Sequence, residues 1–539
     1  MIMTADRDGV PGTLTPAKGY AGGSAERVAL DTALAEIRSV ACDIPVRIGE
    51  REIRNGRTFA VRTPHEHAVE LGQVHQASAV DVEAAIAVAG AVGATWRRAS
   101  AAERAAPFIR AADMLQFGQW RERLVAATML ELSKTAGQAD GDVAEAVDFL
   151  RANVANLAAV DAVQPVSSDR VRNHVEYRPL EGFVLAISPF NFTSMNNLAF
   201  APALLGNVVL WKPAESASLV AHLSLQLLRD AGLPDGVISL LPGSGAQIGP
   251  VALTHRDLSA VHFTGSTATL RRIWRTIGTN IDGYRDYPRI IGEAGGKDFV
   301  LAHPSADVEA LVVACARAAY DYQGQKCAAA SRIYVPRSLW PQVWDCLVEI
   351  TEGLVVGDPT GPGVHLGAVI NASQHARHTV ALARARELGV VLAGGTTDDR
   401  TGWFVAPTLL EVDDPVSEFM VEELFAPVMA VYVYDDRKWL DVLRLVDETS
   451  EYGLTGSVFA TDEAAIAQAD RALRYAAGNF YVNDKPTGAA VGRQPFGGAR
   501  ASGTNDKVGT VWNSIRFVSP RSVKRTDHPD RDPRFPVSG

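Results

Sequence analysis

A cysteine in a loop that opens with glycine is the first candidate for chemistry in this sequence. Cys327 lies in the run 324–328 (GQKCA), between a segment with helical apolar periodicity at 305–320 and an apolar segment typical of a strand at 331–335. A thiol on a short loop between two packed elements can face a cleft and still be held rigidly, as a nucleophile must be. A buried structural cysteine is the plainer interpretation of the same residue.

Two further polar residues could assist such a nucleophile. Glu293 lies in the glycine-rich run 292–296, and flanking glycines suit a side chain that moves while it acts as a general base. Asn191 follows a predicted strand, where its amide could stabilise an oxyanion. The plainer interpretations are a solvated turn glutamate and a turn-forming asparagine.

A third group of residues could hold a dinucleotide. Gly265 and Ser266 separate a predicted strand from a helix at 268–277, and the free N–H groups at such a helix start favour a phosphate. The usual GxGxxG fingerprint is absent, so this signal alone is weak. Lys212 ends another predicted strand, where it could bind a ribose hydroxyl or a phosphate. Nearby Glu215 would repel a 2′-phosphate, which favours NAD over NADP.

The elements that must position these residues alternate between strands and helices from residue 183 onward. This alternation is typical of a doubly wound parallel sheet, and a second αβ series begins near residue 298. Upstream, 78–135 and 140–158 predict helices, Ser100 begins a capping box, and Ser305 could cap the helix before Cys327. The polar stretch 166–177 could form a hairpin arm. The predicted strands are 183–188, 207–212, 238–241, 260–263, 299–302, 331–335, 403–407 and 429–434, and the later helices are 305–320, 337–354, 372–388 and 437–448.

Length and composition narrow the class of protein. A chain of 539 residues suggests two or three domains, and a net charge of −10 argues against a nucleic-acid surface. The most apolar stretch, 183–211, is interrupted by prolines and asparagines, and the N-terminus has no apolar signal, so we predict no membrane span and no export. No CxxC pair occurs, which predicts free thiols in a reducing cytoplasm; the cysteines are Cys42, Cys315, Cys327 and Cys346.

Four short runs, in this order along the chain, resemble the signatures of the aldehyde dehydrogenase superfamily. They are 293–297 (EAGGK), 324–327 (GQKC), 423–425 (ELF) and 495–498 (PFGG), and the resemblance extends over about 40–525. Longer runs are similar to the branch of the family that oxidises L-glutamate γ-semialdehyde to glutamate in proline degradation. These are 180–183 (LEGF), 188–193 (SPFNFT), 207–213 (NVVLWKP) and 499–507 (ARASGTNDK).

The resemblance implies an α/β fold of the aldehyde dehydrogenase type. A Rossmann-type NAD-binding domain would comprise 29–162 and 181–292, and an αβ catalytic domain would comprise 293–508. A β-flap made of 163–180 and a C-terminal strand near 512–524, within the flap and tail at 509–539, would pair protomers into at least a dimer, because unpaired strand edges are otherwise prone to aggregation. Residues 1–28 would form an N-terminal arm.

The resemblance also implies a role for each site residue. Cys327 would attack the aldehyde as a thiolate, Asn191 and the Cys327 N–H would stabilise the oxyanion, hydride would pass to NAD, and Glu293 would activate water to hydrolyse the thioester. The residues expected to hold NAD are Ser188, Lys212, Gly265, Ser266 and Glu423, with Glu215 beside Lys212 and Phe425 beside the nicotinamide ring. Those expected to bind substrate are Phe192 and Phe496 around its aliphatic part, and the N–H groups of Gly488 and Ala489 at its α-carboxylate. No metal is expected.

One position departs from the pattern of this branch. The residue after the nucleophile is usually a serine whose hydroxyl helps to bind the substrate carboxylate, and here it is Ala328. Another small acidic semialdehyde, such as succinate semialdehyde, therefore remains an alternative substrate. A cysteine-dependent acyl transferase or hydrolase without a cofactor would use Cys327 and Asn191 but leave Lys212 without a task. A non-catalytic binding protein of the same fold is the remaining alternative.

Overall fold

Helices and strands alternate through most of the chain in the computed structural model, which describes residues 14–535. The helices are α1 (Ala25–Ser39), α2 (Ala79–Trp96), α3 (Ala101–Phe117), α4 (Trp120–Leu132), α5 (Ala136–Asp161), α6 (Asn197–Leu204), α7 (Ser218–Asp230), α8 (Gly245–Ala252), α9 (Thr267–Thr279), α10 (Val308–Tyr320), α11 (Trp340–Gly353), α12 (Ala372–Glu387), α13 (Glu418–Val421), α14 (Trp439–Glu448), α15 (Glu463–Ala472) and α16 (Val511–Ser514). The strands are β1 (Cys42–Ile44), β2 (Val46–Ile48), β3 (Arg51–Ile53), β4 (Thr58–Thr63), β5 (Glu66–His75), β6 (Val171–Pro179), β7 (Phe183–Ser188), β8 (Val208–Pro213), β9 (Ile238–Leu240), β10 (Leu258–Thr264), β11 (Arg289–Glu293), β12 (Asp298–Ala302), β13 (Ala330–Pro336), β14 (Val391–Ala393), β15 (Thr397–Asp398), β16 (Phe404–Val405), β17 (Thr408–Val412), β18 (Val428–Tyr434), β19 (Tyr452–Gly453), β20 (Thr455–Phe459), β21 (Asn479–Val482), β22 (Ala499–Arg500) and β23 (Val518–Thr526).

The first large sheet has the strand order β11-β10-β7-β8-β9-β2-β3. Its first five strands are parallel, and β2 and β3 extend it by antiparallel pairing. β7 and β8 are nearly continuous apolar runs because helices cover both faces of a parallel sheet. The chain proceeds from β7 to β8 and β9 on one side, then returns through β10 and β11 on the other. Ligands of such sheets bind at this switch point, outside the carboxyl ends of the strands.

The second large sheet has the order β14-β17-β18-β13-β12-β20-β21 and is parallel except for β14. Of the strands predicted here, 299–302, 331–335 and 429–434 are confirmed as β12, β13 and β18. The predicted strand 403–407 is wrong: Pro407 divides the run, so β16 pairs only with the short β15, and β17 takes the place in the large sheet. Proline lacks the N–H that a central strand must donate.

The helices before residue 162 pack around the first sheet and a small sheet of order β1-β5-β4, which the sequence did not predict. The capping box at the start of α3 is confirmed, since Ser100 and Glu103 exchange hydrogen bonds of 3.2 and 2.7 Å. The cap of α10 is Asp307 rather than the predicted Ser305, whose hydroxyl instead accepts the Thr461 N–H at 3.0 Å. By length and composition alone α2 could cross a membrane, but its Val82–Ala85–Ile86 face is buried in the core.

The predicted flap is a two-stranded antiparallel ribbon of β6 and β23. The predicted hairpin at 166–177 is present in part, since Ser168 and Val171 form an antiparallel bridge and the Ser167 hydroxyl accepts the Asn173 N–H at 2.9 Å. The C-terminal strand of the flap is 518–526 rather than the expected start near 512, because α16 occupies 511–514. The structure also revises the N-terminal arm. Residues 1–13 lie outside the described residues, α1 already begins at Ala25, and the segment between them docks on α5, where the Thr15 N–H donates to Asp148 at 2.9 Å.

Candidate active site

A cavity of about 380 Å³ opens at the carboxyl ends of β7, β8, β10 and β11 and faces the loop before β13. Both large sheets therefore contribute to one site. Ten of the residues proposed from the sequence line it, namely Ser188, Asn191, Phe192, Lys212, Gly265, Ser266, Glu293, Cys327, Glu423 and Phe425. The spatial grouping on which the sequence interpretation depends is thus present in the structure.

The nucleophile loop, residues 321–329, has an unusual backbone. Tyr322, Gln323 and Gly324 have φ angles of 52, 55 and 65°, in the left-handed region that side chains other than glycine rarely adopt. A Cβ atom at Gly324 would overlap the Ala426 carbonyl, so only glycine fits there. This path ends α10 abruptly and turns the chain so that Cys327 faces the cavity.

Buried amide side chains fix the nucleophile loop. The Gln323 Nε2 atom donates to the carbonyl oxygens of Ser133 and Ala368 at 3.1 and 2.9 Å. The Gln325 Oε1 atom accepts the Ile370 N–H at 2.9 Å. These bonds offset the backbone strain and hold the thiol in one place, as a nucleophile requires.

Cys327 is half-buried, and its thiol is strongly influenced by its surroundings. Burial raises the pKa of the Cys327 thiol well above its ordinary value, and the carboxylate of Glu293 raises it further, while the Ala328 N–H acts in the opposite direction. The thiol therefore holds its proton until a base removes it. None of the four cysteines forms a disulfide.

Glu293 ends β11 and lies on the floor of the cavity with 6% of its surface exposed. Neither carboxylate oxygen has a hydrogen-bond partner among the described residues. Burial raises the pKa of Glu293 to about 7, and the charge of Lys507 acts in the opposite direction. A carboxylate that titrates near neutral pH is suited to general-base chemistry.

Asn191 follows β7 and is buried beside the nucleophile loop. One N–H of its amide donates to the Gln325 carbonyl at 3.1 Å, which fixes the orientation of the side chain. The second N–H remains for an oxygen atom in the cavity, as an oxyanion donor requires.

The wall below the first sheet has the features of a phosphate and ribose site. Ser266 caps the 13-residue helix α9, and its hydroxyl accepts the Thr269 N–H at 3.3 Å. A Cβ atom at Gly265 would lie 2.8 Å from the Phe263 ring, so the backbone there is left bare toward the cavity. Burial lowers the pKa of Lys212, and the charge of Glu215 acts in the opposite direction.

The opposite wall is made by the run 423–425. The Glu423 Oε1 atom accepts the Gly296 N–H at 3.0 Å, and burial raises the pKa of this carboxyl. A Cβ atom at Gly295 would overlap the same carboxylate, so that glycine is required for the close approach. Phe425 has a φ of 58°, and its ring meets that of Phe190 edge-on at 6.0 Å between centroids.

The other five residues proposed from the sequence do not line this cavity. Glu215 is exposed on the turn after β8, and Ala328 is buried behind Cys327 with 4% of its surface exposed. Gly488 and Ala489 lie in a partly exposed loop, where the φ of Gly488 is 83°. Phe496 lines a small separate cavity on the far side of Glu293.

Sequence reasoning missed several polar residues at the site. Gln374 and Arg377 on α12 line the cavity, and the Arg377 guanidinium donates to the Glu423 carbonyl at 2.6 Å. Their spacing of three places both on one helix face, but exposed polar residues at that spacing are common and gave no specific signal. Lys326, next to the nucleophile, has its ammonium 5.9 Å from the Phe192 ring centroid and pairs with Asp321.

Comparisons with known proteins agree with this geometry. The model of the "Aldehyde dehydrogenase family" matches residues 52–523. The mouse "Delta-1-pyrroline-5-carboxylate dehydrogenase, mitochondrial" is 44% identical over 528 residues, 97% of this chain and 94% of the relative. The crystal structure of Delta-pyrroline-5-carboxylate dehydrogenase from Mycobacterium tuberculosis bound with NAD has a TM-score of 0.94 and 45% identity, covering 99% of both chains. A 1-pyrroline-5-carboxylate dehydrogenase from Thermus with bound NAD has a TM-score of 0.90 and 29% identity, covering 97% of this chain and 100% of that one. The chain belongs to the aldehyde dehydrogenase family.

Proposed function

We propose that the protein oxidises L-glutamate γ-semialdehyde, which forms from Δ1-pyrroline-5-carboxylate, to L-glutamate with NAD as oxidant, in proline degradation. The observation that carries this proposal is the convergence of Cys327, Glu293 and Asn191 on one cavity that also has a phosphate-binding helix start. The names and identities of the relatives support the choice of substrate.

The catalytic side chains divide the chemistry between them. The Cys327 thiol must lose its proton to water before attack, because the thiolate is the nucleophile. The sulfur then bonds to the aldehyde carbon. The resulting oxyanion accepts hydrogen bonds from the free N–H of Asn191 and from the backbone N–H of Cys327. Such a donor typically contributes about 3–4 kcal/mol to the transition state. After oxidation, water attacks the thioester, Glu293 takes its proton, and the C–S bond breaks to release the acid.

The residues at the strand ends fit NAD. The bare backbone at Gly265 and the start of α9 suit the pyrophosphate, Lys212 and Ser188 lie at the adjacent strand ends, and Glu423 is positioned for a ribose hydroxyl. When bound, NAD supplies the oxidising power by accepting two electrons and a hydrogen from the substrate carbon. Glu215 beside Lys212 disfavours the extra phosphate of NADP.

The cationic groups near the nucleophile favour an acidic substrate. Lys326 is half-buried beside Cys327, where Asp321 partly offsets its charge, and Lys485 lies near the loop that carries Gly488 and Ala489. These charges attract a carboxylate at the end of the substrate distant from the aldehyde. Phe192, whose ring centroid lies 4.4 Å from the buried ammonium of Lys134, is rigidly placed to contact the aliphatic part. A contact of Phe496 with the same part stays a prediction from the resemblance, because Phe496 lines the separate small cavity.

One assay tests the function. NADH formation from NAD is measured with pyrroline-5-carboxylate, with succinate semialdehyde and with a panel of neutral aldehydes. The proposal expects the highest kcat/KM for pyrroline-5-carboxylate, with no turnover in Cys327→Ala. A higher kcat/KM for succinate semialdehyde, the alternative that Ala328 favours, would show that succinate semialdehyde is the preferred substrate. Ester hydrolysis without any aldehyde-dependent formation of NADH would instead indicate a cysteine-dependent hydrolase or acyl transferase.

The ribbon of β6 and β23 supports a homo-oligomer of at least two subunits. In the described residues β23 pairs only with β6, so its other edge is free for a second copy to cover. The outer edge of β6 is already bonded by the side chains of Gln164 and Ser167. The proposed domain limits remain those given from the sequence, with β6 lying in the chain between the two segments of the NAD-binding domain and β23 following the catalytic domain. Sedimentation of the intact chain, compared with a chain ending before Val518, tests whether the ribbon joins subunits.

The cytoplasm is the location that the four free cysteines favour, since a reducing compartment preserves thiols. The mouse relative is named as mitochondrial, which describes that protein. Fractionation of the source cells distinguishes the two locations.

A further inference from the structure

A lysine on the far side of Glu293 has no task in the chemistry described so far. Lys507 follows the PFGG run and has a φ of 53°. Its ammonium donates to the carbonyl oxygens of Gly478 and Gly497 at 2.8 and 2.9 Å, and to the Asn479 Oδ1 atom at 3.3 Å. Three fixed acceptors use its three hydrogens, so the charge has a defined position and forms no direct hydrogen bond with a carboxylate.

Lys507 and Glu293 line the same small cavity. Its volume is about 10 Å³, close to the space that one water molecule needs. No other cation lines this cavity, as far as the described residues show, and both Glu293 oxygens lack a protein partner. The charge of the half-buried lysine therefore acts on a buried carboxylate at the same cavity, where screening is weaker than between exposed groups.

None of the other titratable groups described around Glu293 supplies a positive charge that stabilises its carboxylate. Asp506, which also lines the small cavity, pairs with Arg516 and accepts the Thr504 hydroxyl hydrogen. His262 on β10 is held neutral because burial lowers its pKa to about 4. Cys327, on the main cavity side, becomes a second negative charge when its proton leaves. Lys507 is therefore the uncompensated cation facing Glu293.

We propose that Lys507 is a positioning residue for the hydrolytic step, its fixed ammonium keeping the Glu293 carboxylate ionised as the acceptor of a proton from water. In that step the water oxygen bonds to the thioester carbon, its proton goes to Glu293, and the C–S bond breaks to leave the carboxylic acid and the Cys327 thiolate. The inference rests on the proposed function for the identity of the acyl group only. Burial is the larger influence on the pKa of both groups, but the charge of Lys507 acts to lower the pKa of Glu293 and the charge of Glu293 acts to raise that of Lys507, as the inference requires.

Hydrolysis of 4-nitrophenyl acetate tests the inference without NAD or aldehyde. Cys327 attacks the ester and releases 4-nitrophenolate in a burst, and the later linear phase reports hydrolysis of the acetyl-enzyme. In Lys507→Gln the acid limb of the linear-phase pH profile should move to higher pH by about one pH unit, because the carboxylate of Glu293 loses a stabilising positive charge. The limb should stay in place in Lys507→Arg, which keeps the charge, and in Lys438→Gln, a control on the exposed turn before α14.

A second variant separates charge from loop structure. Asn479→Asp keeps the lysine and its acceptor but adds a negative charge beside the ammonium, so its acid limb should move in the same direction. Rates that fall equally at all pH values in both variants, with no movement of the limb, would show a structural role only. A limb that moves equally in Lys507→Gln and Lys507→Arg would also overturn the inference. If the limb moves as expected while pyrroline-5-carboxylate is not oxidised, the proposed substrate fails and the role of Lys507 stands.

Discussion

Two buried glutamates differ in their hydrogen-bond partners. One lies on a helix, and the other lies at the end of the edge strand of the first large sheet. Glu131, near the end of α4, is 1% exposed and accepts the N–H groups of Leu219 and Val220, both at 2.8 Å, in the first turn of α7. Glu293 is 6% exposed and has no protein partner among the described residues. Burial raises the pKa of both, to about 8 for Glu131 and about 7 for Glu293.

The difference shows that burial and a raised pKa do not by themselves mark a catalytic group. Glu131 satisfies two backbone donors that the start of a helix otherwise leaves unpaired, so its task is to join α4 to α7. Glu293 lines two cavities and leaves both oxygens available to a substrate or water. In the proposed function, the absence of a protein partner beside Cys327, rather than the pKa, distinguishes the carboxylate that reacts.

The largest expected effect separates the two glutamates by activity. Glu293→Gln should lower steady-state turnover about a thousandfold, because water loses its proton acceptor while the cysteine can still be acylated. NADH should therefore appear as a burst followed by a slow phase. Glu131→Gln, which keeps one acceptor for α7, should turn over within a few-fold of the unaltered chain. Equal losses in both variants would show that burial alone, not position at the cavity, sets the role.

The second prediction concerns stability, for which Glu131 should matter more than Glu293. At pH 5, Glu131→Leu should lower the free energy of unfolding by about 4 kcal/mol, since two buried N–H groups at the start of α7 lose their acceptor. At the same pH the Glu293 carboxyl is mostly neutral in the folded protein, so Glu293→Gln should change the free energy of unfolding by less than about 1 kcal/mol. Urea unfolding followed by circular dichroism measures both. A Glu293 variant that proved the less stable of the two would indicate an unrecognised structural partner.

The strand ends of the first sheet were predictable from the sequence for a physical reason. Parallel strands joined by helices place all their carboxyl ends at one edge, so Ser188, Lys212 and Gly265 must meet once the βαβ order is known. The position of Cys327 between α10 and β13 follows from the same order. The fold class and the grouping around the main cavity could therefore be reached before any coordinates.

Contacts made by loops distant in sequence could not be foreseen. The position of Lys507 and Glu293 on one small cavity, and the hydrogen bond from Gln323 to Ser133, depend on tertiary packing that no local pattern encodes. The pairing of β6 with β23 was expected from the resemblance rather than from any local pattern. The strands of the small sheet β1-β5-β4 were also missed, since their alternating, partly exposed residues give a weak periodic signal. The loop at 488–489 was assigned to substrate binding by resemblance alone, and it lies outside the main cavity.

The third prediction sharpens the comparison through pH. The ordinary pKa of Glu293 is 4.5 and its folded value is about 7, so the folded protein binds this proton more tightly than the unfolded chain. The contribution of this group to stability should therefore fall between pH 4.5 and 7 and change no further above pH 7. Glu293→Gln lacks the titration. Relative to its value at pH 4.5, the difference in unfolding free energy between the two proteins should grow by about 3 kcal/mol in favour of the variant at pH 8. Glu131 is present in both proteins and cancels, so a constant difference across this range would contradict the burial cost assigned to Glu293.

The smallest expected effect concerns Ala328, next to Cys327, which has no hydroxyl to bind the substrate carboxylate. Ala328 is buried behind Cys327 and offers no hydroxyl. Because a hydrogen bond to a charged group contributes about 1.5–3 kcal/mol, Ala328→Ser should lower the KM for glutamate semialdehyde about tenfold while kcat changes little. Ala329→Ser adds the same group one residue later, at another buried position, and should leave KM unchanged. An unchanged or higher KM in Ala328→Ser would mean that the backbone N–H groups and cations near the loop already satisfy the carboxylate, so that the alanine costs this chain nothing in substrate affinity.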